Sequence, residues 1–412
     1  MVYEISKFSI TGLFKEHDHV IDFKMANNFT NIEARICLIL GGNGIGKTTI
    51  LNMIGGMLEL DFNPFRNVPF KHASLELSDG ASLTVTLIEE QMTLEIKFND
   101  AICHLNAVES GASKNKPDSI KDVNKLRDQA LPILSNVSFE KLDIHRSIAL
   151  REKDLNMNEE QLRTRNGKLS VKPKSASLLS GKVKRFVREA QVDYKKYFIS
   201  EGPELFPKII KRLASLNSNT VTVNELIDRL GQIKASETDM ARFGLSINMS
   251  DIDQLTNLLQ DENDLGQNGA AIAALEAYVE TLESKHAERC LIHKRLTNFE
   301  KLIGNFFTNK RVEIDYEKGL TIYTKNNDEI EELMLSSGEY HLLYMMVTAL
   351  VSTRTGTAIA IDEPELSLHI TWQRKLVDAL IACSSGASPL FIFATHSSAI
   401  AAEYEDKWTI LK

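Results

Sequence analysis

The sequence predicts an α/β fold, a phosphate-loop core built on a mixed sheet with a flanking antiparallel sheet and interrupted by a long inserted helical arm. Three observations lead there. The apolar run Ile36-Cys37-Leu38-Ile39-Leu40 feeds a glycine-rich loop and then a helix-forming segment, the pattern of a strand buried on both faces. Two further apolar runs near the other end, Ala358–Ile361 and Leu390–Phe393, stop abruptly at acidic residues and at a histidine. Between these ends, the stretch from 150 to 305 lacks strand alternation and is rich in helix formers.

In chain order, Tyr3 to Thr11 alternates apolar and polar residues, is expected to turn at Gly12, and returns through Val20-Ile21-Asp22-Phe23. Thr48 to Leu58 follows the glycine loop as a helix. Alternation resumes at Leu75/Leu77, Leu83/Val85/Leu87 and Met92/Leu94/Ile96/Phe98, with Asp79-Gly80 as a hairpin signal, which predicts the antiparallel sheet. Glu109 to Pro117 is a polar loop. Ile272, Leu275, Val279 and Leu282, then Leu296, Phe299, Leu302 and Phe306, form helical stripes too short to establish a long coiled coil. Val312/Ile314/Tyr316 and Leu320/Ile322 flank Gly319 as a hairpin. The expected domains are therefore 1–150 and 306–412 as two halves of one core, with 151–305 as the arm.

At 412 residues the chain exceeds the size of one ordinary hydrophobic core, and its 43% hydrophobic and 25% charged content is that of a globular protein. A net charge of -8 argues against a uniformly nucleic-acid-coated surface. Cys37, Cys103, Cys290 and Cys383 are scattered in apolar or helical surroundings, as expected of reduced thiols in a cytoplasmic protein. The first residues lack the basic and apolar regions of a signal peptide, and no apolar run approaches the roughly 20 residues of a membrane span.

Four elements carry chemistry. The loop Gly41-Gly42-Asn43-Gly44-Ile45-Gly46-Lys47-Thr48 sits between a buried strand and a helix, where backbone N–H groups and the helix dipole cradle phosphates. Gly41, Asn43, Gly44, Gly46, Lys47, Thr48 and Thr49 are its candidate nucleotide-binding residues, with Lys47 reaching the β- and γ-phosphates and the Thr48 hydroxyl on Mg²⁺. Leu335-Ser336-Ser337-Gly338-Glu339 precedes an apolar helix; its small residues suit anion binding, and an ordinary helix N-cap has the same composition. Ala358 to Glu365 is a strand that delivers Asp362 to a Mg²⁺ shell and Glu363 to an attacking water, or else a strand ending in an acidic helix cap. Leu390 to Ser397 is a strand ending at His396, where α/β sheets place ligands; a lone histidine there is usually structural, but as the fourth ordered element it suits a γ-phosphate sensor.

Together these motifs resemble the ABC ATPase superfamily, with Walker A at Gly41–Thr48, the signature at Leu335–Glu339, Walker B at Ala358–Glu363, the D-loop at Ser367-Leu368-His369 and the switch histidine at His396. The long insertion is similar to the branch containing Rad50, RecF and the OLD-like ATPases. Ile361-Asp362-Glu363-Pro364-Glu365-Leu366-Ser367-Leu368-His369 and Ala394-Thr395-His396-Ser397 resemble the OLD-like group, which includes ATPases of the PARIS, Septu and certain retron anti-phage systems. The resemblance implies bound ATP and Mg²⁺, catalysis by Glu363, His396 and Lys47, and metal ligation by Thr48 and Asp362. It also implies that Ser336, Ser337 and Gly338 complete a neighbour's nucleotide site, hence a homodimer or higher homo-oligomer. OLD nucleases continue into a Toprim domain, whereas this sequence stops soon after His396, so the expected effector is a separate nuclease or toxin, triggered by a phage protein. The alternative implied is a RecF- or Rad50-like role in DNA repair. The motifs cover the two ends and leave residues 100 to 305 without family signal. No glutamine occupies a convincing Q-loop position; Gln91 and Gln129 are candidates.

Residues 161 to 200 hold Arg163, Arg165, Lys168, Lys172, Lys174, Lys182, Lys184, Arg185, Arg188, Lys195 and Lys196 against Glu189 and Asp193, the basic segment proper being 163–196. This is either a docking face for nucleic acid or an acidic protein, or a solvated segment. Phe186, Tyr194, Tyr197 and Phe198 among them fit helix packing as well as base stacking. His286, Cys290 and His293 share a helical face without an evident fourth ligand, so packing is the expected role, and His17 and His19 carry no metal assignment.

Overall fold

The computed structural model describes residues 3–23, 35–107, 117–142, 178–200, 221–246, 249–260, 269–352, 356–404 and 408–411. In chain order they form β1 (Ile5–Leu13), β2 (His17–Asp22), β3 (Arg35–Leu40), α1 (Lys47–Glu59), β4 (His72–Leu77), β5 (Ser82–Ile88), β6 (Thr93–Phe98), β7 (Ala101–Asn106), α2 (Pro117–Leu134) and β8 (Phe139–Leu142). There follow α3 (Leu178–Ser200), α4 (Val223–Ala241), α5 (Met249–Gln260), α6 (Gly269–Gly304), β9 (Lys310–Asp315), β10 (Gly319–Thr324) and β11 (Glu329–Ile330). The chain then supplies α7 (Ser337–Val351), β12 (Ala358–Asp362), α8 (Ile370–Cys383), β13 (Leu390–Thr395), α9 (Ser398–Ala401) and β14 (Trp408–Ile410). It divides into two units, Met1–Leu169 with Leu335–Lys412, and Ser170–Met334.

The first unit is the expected α/β core. Its central sheet has the order β14-β3-β13-β12-β8, and every pairing is parallel. Continuous apolar strands suit that position because both faces are covered: Leu38, Ile39, Ile359, Ile361, Phe391, Ile392 and Phe393 are all fully buried. Each such side chain contributes about 1.5–3 kcal/mol by leaving water. The edge strand β8 was not anticipated; four residues next to Asn136-Val137 carry too little periodicity to stand out. Gly55 of α1 lets the helix approach it, since a Cβ there would lie 2.7 Å from the Phe139 ring. Burial pushes the Cys37 thiol in β3 up to about 12, so it stays protonated.

The second sheet runs β2-β1-β4-β5-β6-β7, antiparallel throughout. Its strands alternate buried and partly exposed residues, as the sequence pattern predicted. One turn moves. Gly12 does not turn the chain: at φ 67° it sits where the β1–β2 register shifts between Ile10 and Leu13. The turn falls at Phe14 and Lys15, both at positive φ, and the Lys15 N–H donates to the Gly12 carbonyl at 2.9 Å. A glycine serves bulges and turns for the same steric reason, so sequence alone does not separate them.

The second unit packs α4, α5 and α6 around Leu226, Leu230, Ile233, Ile252, Leu259, Val279 and Leu282. Both apolar stripes seen in sequence lie on α6, a single helix of 36 residues, except Phe306, which follows its end. Thr222 and Glu225 form a reciprocal capping box that starts α4. Buried charge is paired inside this unit. Arg289 meets Glu237 at 2.6 Å, with both side chains nearly inaccessible, and donates to the Leu245 carbonyl at 2.9 Å. The sheet β9-β10-β11 also belongs here, with β9 against α6 and β10 against α3. The core therefore resumes at Leu335 and not at residue 306 as expected, because the hairpin buries its apolar face on helices of this unit. Glu332 accepts the N–H groups of Leu179 and Ser180 at 3.3 and 2.8 Å, satisfying donors at the start of α3. The expected polar loop 109–116 lies outside the described residues, and Pro117 opens α2. Among the described residues no helix is long and apolar enough to cross a membrane.

Candidate functional site

Register places the candidate residues side by side. Thr395 of β13 pairs with Leu40 of β3, and Ala394 pairs with Asp362 of β12. Neighbouring strands lie about 4.8 Å apart. The residues that leave these strands at their carboxyl ends, Gly41, His396 and Glu363, are therefore neighbours on one sheet edge, where open α/β sheets bind ligands. Three chain segments far apart in sequence meet there without any side-chain contact being needed to bring them.

Gly46 caps α1 at φ 97°, a conformation that disfavours any side chain, and a Cβ there would also lie 2.7 Å from Leu13 Cδ2. Gly42, Asn43, Gly44 and Thr48 are exposed, Gly41 and Thr49 partly so, while Lys47 is only 6% exposed. Its Nζ donates to the carbonyls of Gly41 and Gly42 at 2.9 and 3.0 Å, and lies 2.6 Å from Nε2 of His396. Burial holds the Lys47 ammonium below its usual range, and the charges of Asp362, Glu363 and Glu365 oppose that shift. The three nearby carboxylates do not fully offset the cost of desolvating the lysine.

The acidic cluster is not uniform. Asp362 ends β12, and its Oδ1 is buried with no hydrogen-bond partner. Glu363 occupies φ 49°, uncommon for a residue with a side chain, and is held there by its N–H to the Ala394 carbonyl at 2.8 Å. Glu365 is turned toward β13: Thr395 Oγ1 donates to its Oε2 at 2.6 Å and the His396 N–H to its Oε1 at 2.8 Å. Gln373 of α8 accepts from Ser397 Oγ at 2.7 Å and donates through Nε2 to the Leu368 carbonyl at 2.9 Å.

Ser336 and Glu339 form a capping box at the start of α7, so the local N-cap reading of this segment is realised in the chain itself. Ser336 and Ser337 remain exposed at the helix end. Gly338 is buried against the 366–369 turn; a Cβ there would lie 2.4 Å from the Ser367 carbonyl oxygen. His341, one turn further on, is fully buried with Nδ1 2.8 Å from the Leu366 carbonyl.

The structure thus brings Lys47, Asp362, Glu363 and His396 together, whereas Ser336, Ser337 and Gly338 adjoin the turn that follows Glu365. Gln91 lies exposed in the turn between β5 and β6, and Gln129 exposed on α2. Of the basic segment, 163–177 is outside the described residues; Arg185 and Arg188 are exposed on α3, where Arg185 pairs with Glu189 at 3.6 Å. Cys290 lies 3.3 Å from His286, and His293 packs edge-on to Phe243, as expected of a packing face. His17 stacks on His19 at 5.6 Å. Among the described residues no group of three or more His, Cys, Asp or Glu is arranged to hold a metal ion. Glu365, Gln373 and His341 were not singled out by sequence. Glu365 stood within the acidic run, but Gln373 and His341 sit in helices whose local patterns carry no sign of a long-range contact.

A family model described as an AAA ATPase domain matches residues 4–401. Among solved structures, the chain is similar to the Smc head domain with an extended coiled coil bound to the C-terminal domain of ScpA from Pyrococcus furiosus, at 15% identity and TM-score 0.44, covering 97% of this chain and 91% of that one. It is also similar to an SMC head domain from Thermotoga maritima, at 10% identity and TM-score 0.37, covering 97% and 91%. No curated protein matches it.

Proposed function

Because the chain belongs to the AAA ATPase domain family, as its match over residues 4–401 shows, we propose that it is a Mg²⁺-dependent ATPase with an ABC-type nucleotide site. It works as a cytoplasmic homo-oligomer with shared sites and controls a separate effector in bacterial defence against phage. The hydrolytic reading is carried by the 2.6 Å approach of Lys47 and His396 beside the acidic turn, across 349 positions of sequence.

In this reading the exposed glycine loop and Lys47 bind the β- and γ-phosphates. Thr48 and Asp362 would hold Mg²⁺, which would supply neutralisation of charge on the phosphate oxygens, and the unpartnered Asp362 Oδ1 fits that role. Glu363 accepts the proton of the attacking water, from a backbone held at positive φ at the end of β12. His396 donates toward the transferred phosphoryl group. Ser337, exposed at the helix end, and the adjoining Gly338 serve the γ-phosphate of a second copy.

The control of an effector is supported by the likeness of residues 361–369 and 394–397 to the OLD-like group. A RecF- or Rad50-like role on DNA is the competing reading, favoured by the exposed Arg185 and Arg188 of α3. Glu363→Gln tests the chemistry: phosphate release is expected to fall about 10²–10⁴-fold, while ATP binding persists and a dimer or larger assembly accumulates in sedimentation. Hydrolysis at the wild-type rate would remove Glu363 as the base. Stable co-purification with a neighbouring gene product, without DNA-stimulated ATPase, is expected; salt-dependent DNA affinity with stimulation would replace the effector reading by the DNA one.

A further inference from the structure

We infer that Glu365 is a positioning residue for His396, fixing the histidine at the phosphate end of the site through its backbone; this rests on the ATPase reading above. The two carboxylate oxygens are used separately on the last residue of β13 and the residue that follows it. Oε2 takes the hydroxyl of Thr395, a residue with no accessible surface, and Oε1 takes the backbone N–H of His396, at 2.6 and 2.8 Å. Thr395 Oγ1 in turn accepts the N–H of Ser397 at 2.9 Å. Three successive residues are therefore tied to one carboxylate, directly or through one hydroxyl.

That arrangement separates the roles of the three acids. Asp362 has an oxygen left over, whereas both Glu365 oxygens are bound to Thr395 and His396 and so are committed before any substrate arrives. A carboxylate accepting from a hydroxyl and an amide makes charge-assisted bonds, roughly twice as strong as neutral ones. The need for them follows from exposure: His396 lies exposed just past the strand end, and its ring meets Lys47 Nζ at 2.6 Å only if the backbone holds its direction. Gln373 closes the circuit by joining Ser397 Oγ to the Leu368 carbonyl, so the segment is held from both sides by the turn that follows β12. The ring of His396 is thereby kept within 2.6 Å of Lys47 Nζ.

The test reads His396 directly and does not depend on turnover. In full-length protein carrying ¹³C-labelled histidine, the His396 ring signal is assigned by its loss in His396→Ala. Glu365→Ala is expected to shift and broaden that signal, and the isosteric Glu365→Gln, which keeps one acceptor, to do so less. An unchanged His396 signal in both variants overturns the inference, whatever the ATPase rate. Kinetics supply the second arm. Glu365→Ala should lower kcat about 10²-fold, the size expected for a misplaced catalytic group, with KM for ATP changed less than about twofold. In the His396→Ala background the same change should add less than about twofold, because the two act through one group. Full multiplication of the two losses would show that Glu365 acts independently of His396. Failure of the ATPase reading has a different sign, namely no phosphate release from ATP by the wild-type protein while the His396 signal still responds to Glu365.

Discussion

The two units treat buried charge in opposite ways. In the helical unit Glu237 and Arg289 are 1% and 3% exposed and neutralise each other at 2.6 Å, with the guanidinium also bound to a carbonyl. In the nucleotide unit Lys47 is nearly as buried, yet among the described residues it makes no ion pair and rests on two carbonyls and a histidine ring. Asp362 likewise keeps an unpartnered oxygen. Burying a charge costs several kcal/mol unless it is paired. A fold that keeps such groups open near one sheet edge holds electrostatic potential in reserve for a ligand, whereas a fold that pairs them internally has fixed its own conformation.

The sharpest way to break this contrast is to remove the open charge. Lys47→Ala should weaken ATP binding by more than about 10²-fold, since a charged partner of a phosphate is lost from a partly desolvated site. Titration with a fluorescent ATP analogue measures it. Thermal stability without nucleotide should hold or rise slightly, because a desolvated ammonium leaves the fold. Loss of stability together with binding would mean that Lys47 is structural.

The paired charge should answer in the other direction. Glu237→Ala leaves Arg289 buried without its carboxylate and should destabilise the helical unit by about 3–5 kcal/mol, seen as faster hydrogen exchange in α4 and α6. The double replacement Glu237→Leu with Arg289→Met should recover most of that. ATP affinity of the folded protein should stay within about twofold in both. An affinity that follows stability would dissolve the distinction between the units.

The intermediate case is Gly338, at an exposed helix end but packed on the acidic turn. Gly338→Ala drives a Cβ to 2.4 Å from the Ser367 carbonyl oxygen, a backbone atom that cannot swing aside. Overpacking of this kind typically costs about 1–3 kcal/mol. The expected result is slower phosphate release with ATP binding preserved, because the phosphate loop is untouched. Equal loss of both would place Gly338 in the same functional set as Lys47.

The difference between units also explains what sequence could show. Strands β3, β12 and β13 were legible because full burial writes an unbroken apolar run, and the loop after β3 because phosphate binding restricts residue types over eight consecutive positions. Their adjacency at one edge was legible only through a family resemblance, since strand order is a long-range fact. The clamp on His396 was not legible: Glu365 appears as one more acid after Asp362 and Glu363, and Gln373 as an ordinary helical residue. In the helical unit α6 was visible as two stripes, but the Glu237–Arg289 pair spans 52 positions, so no window of local pattern joins its members. The boundary at Leu335 was missed for the same reason, because a hairpin's apolar face does not say which partner it will cover.

The smallest effect concerns His286, which lies among Ser236, Glu237, Arg289 and Cys290 in the helical unit. Arg289 Nη2 lies 3.3 Å from its Nδ1, an approach that suits a ring nitrogen accepting the bond, and Glu237 lies 3.6 Å from the same nitrogen. Burial first, then the Arg289 charge, hold the imidazole below its ordinary pKa of 6.5, with Glu237 opposing. The folded chain therefore binds this proton later than the unfolded chain as pH falls. The unfolded state carries more protons below pH 6.5 until the depressed folded pKa is passed, so stability from this site declines across that window and is unaffected above it. His286→Gln keeps a polar side chain that does not titrate, and should flatten the fall in α4 and α6 exchange protection between neutral pH and the acid side of 6.5. The change is limited to the linkage of one proton. ATP affinity should show no parallel difference between variant and wild type, because a group whose partners are all inside the helical unit has no open charge to offer a ligand. A pH response of ATP binding that disappears with His286 would instead tie the paired charges of one unit to the open charges of the other.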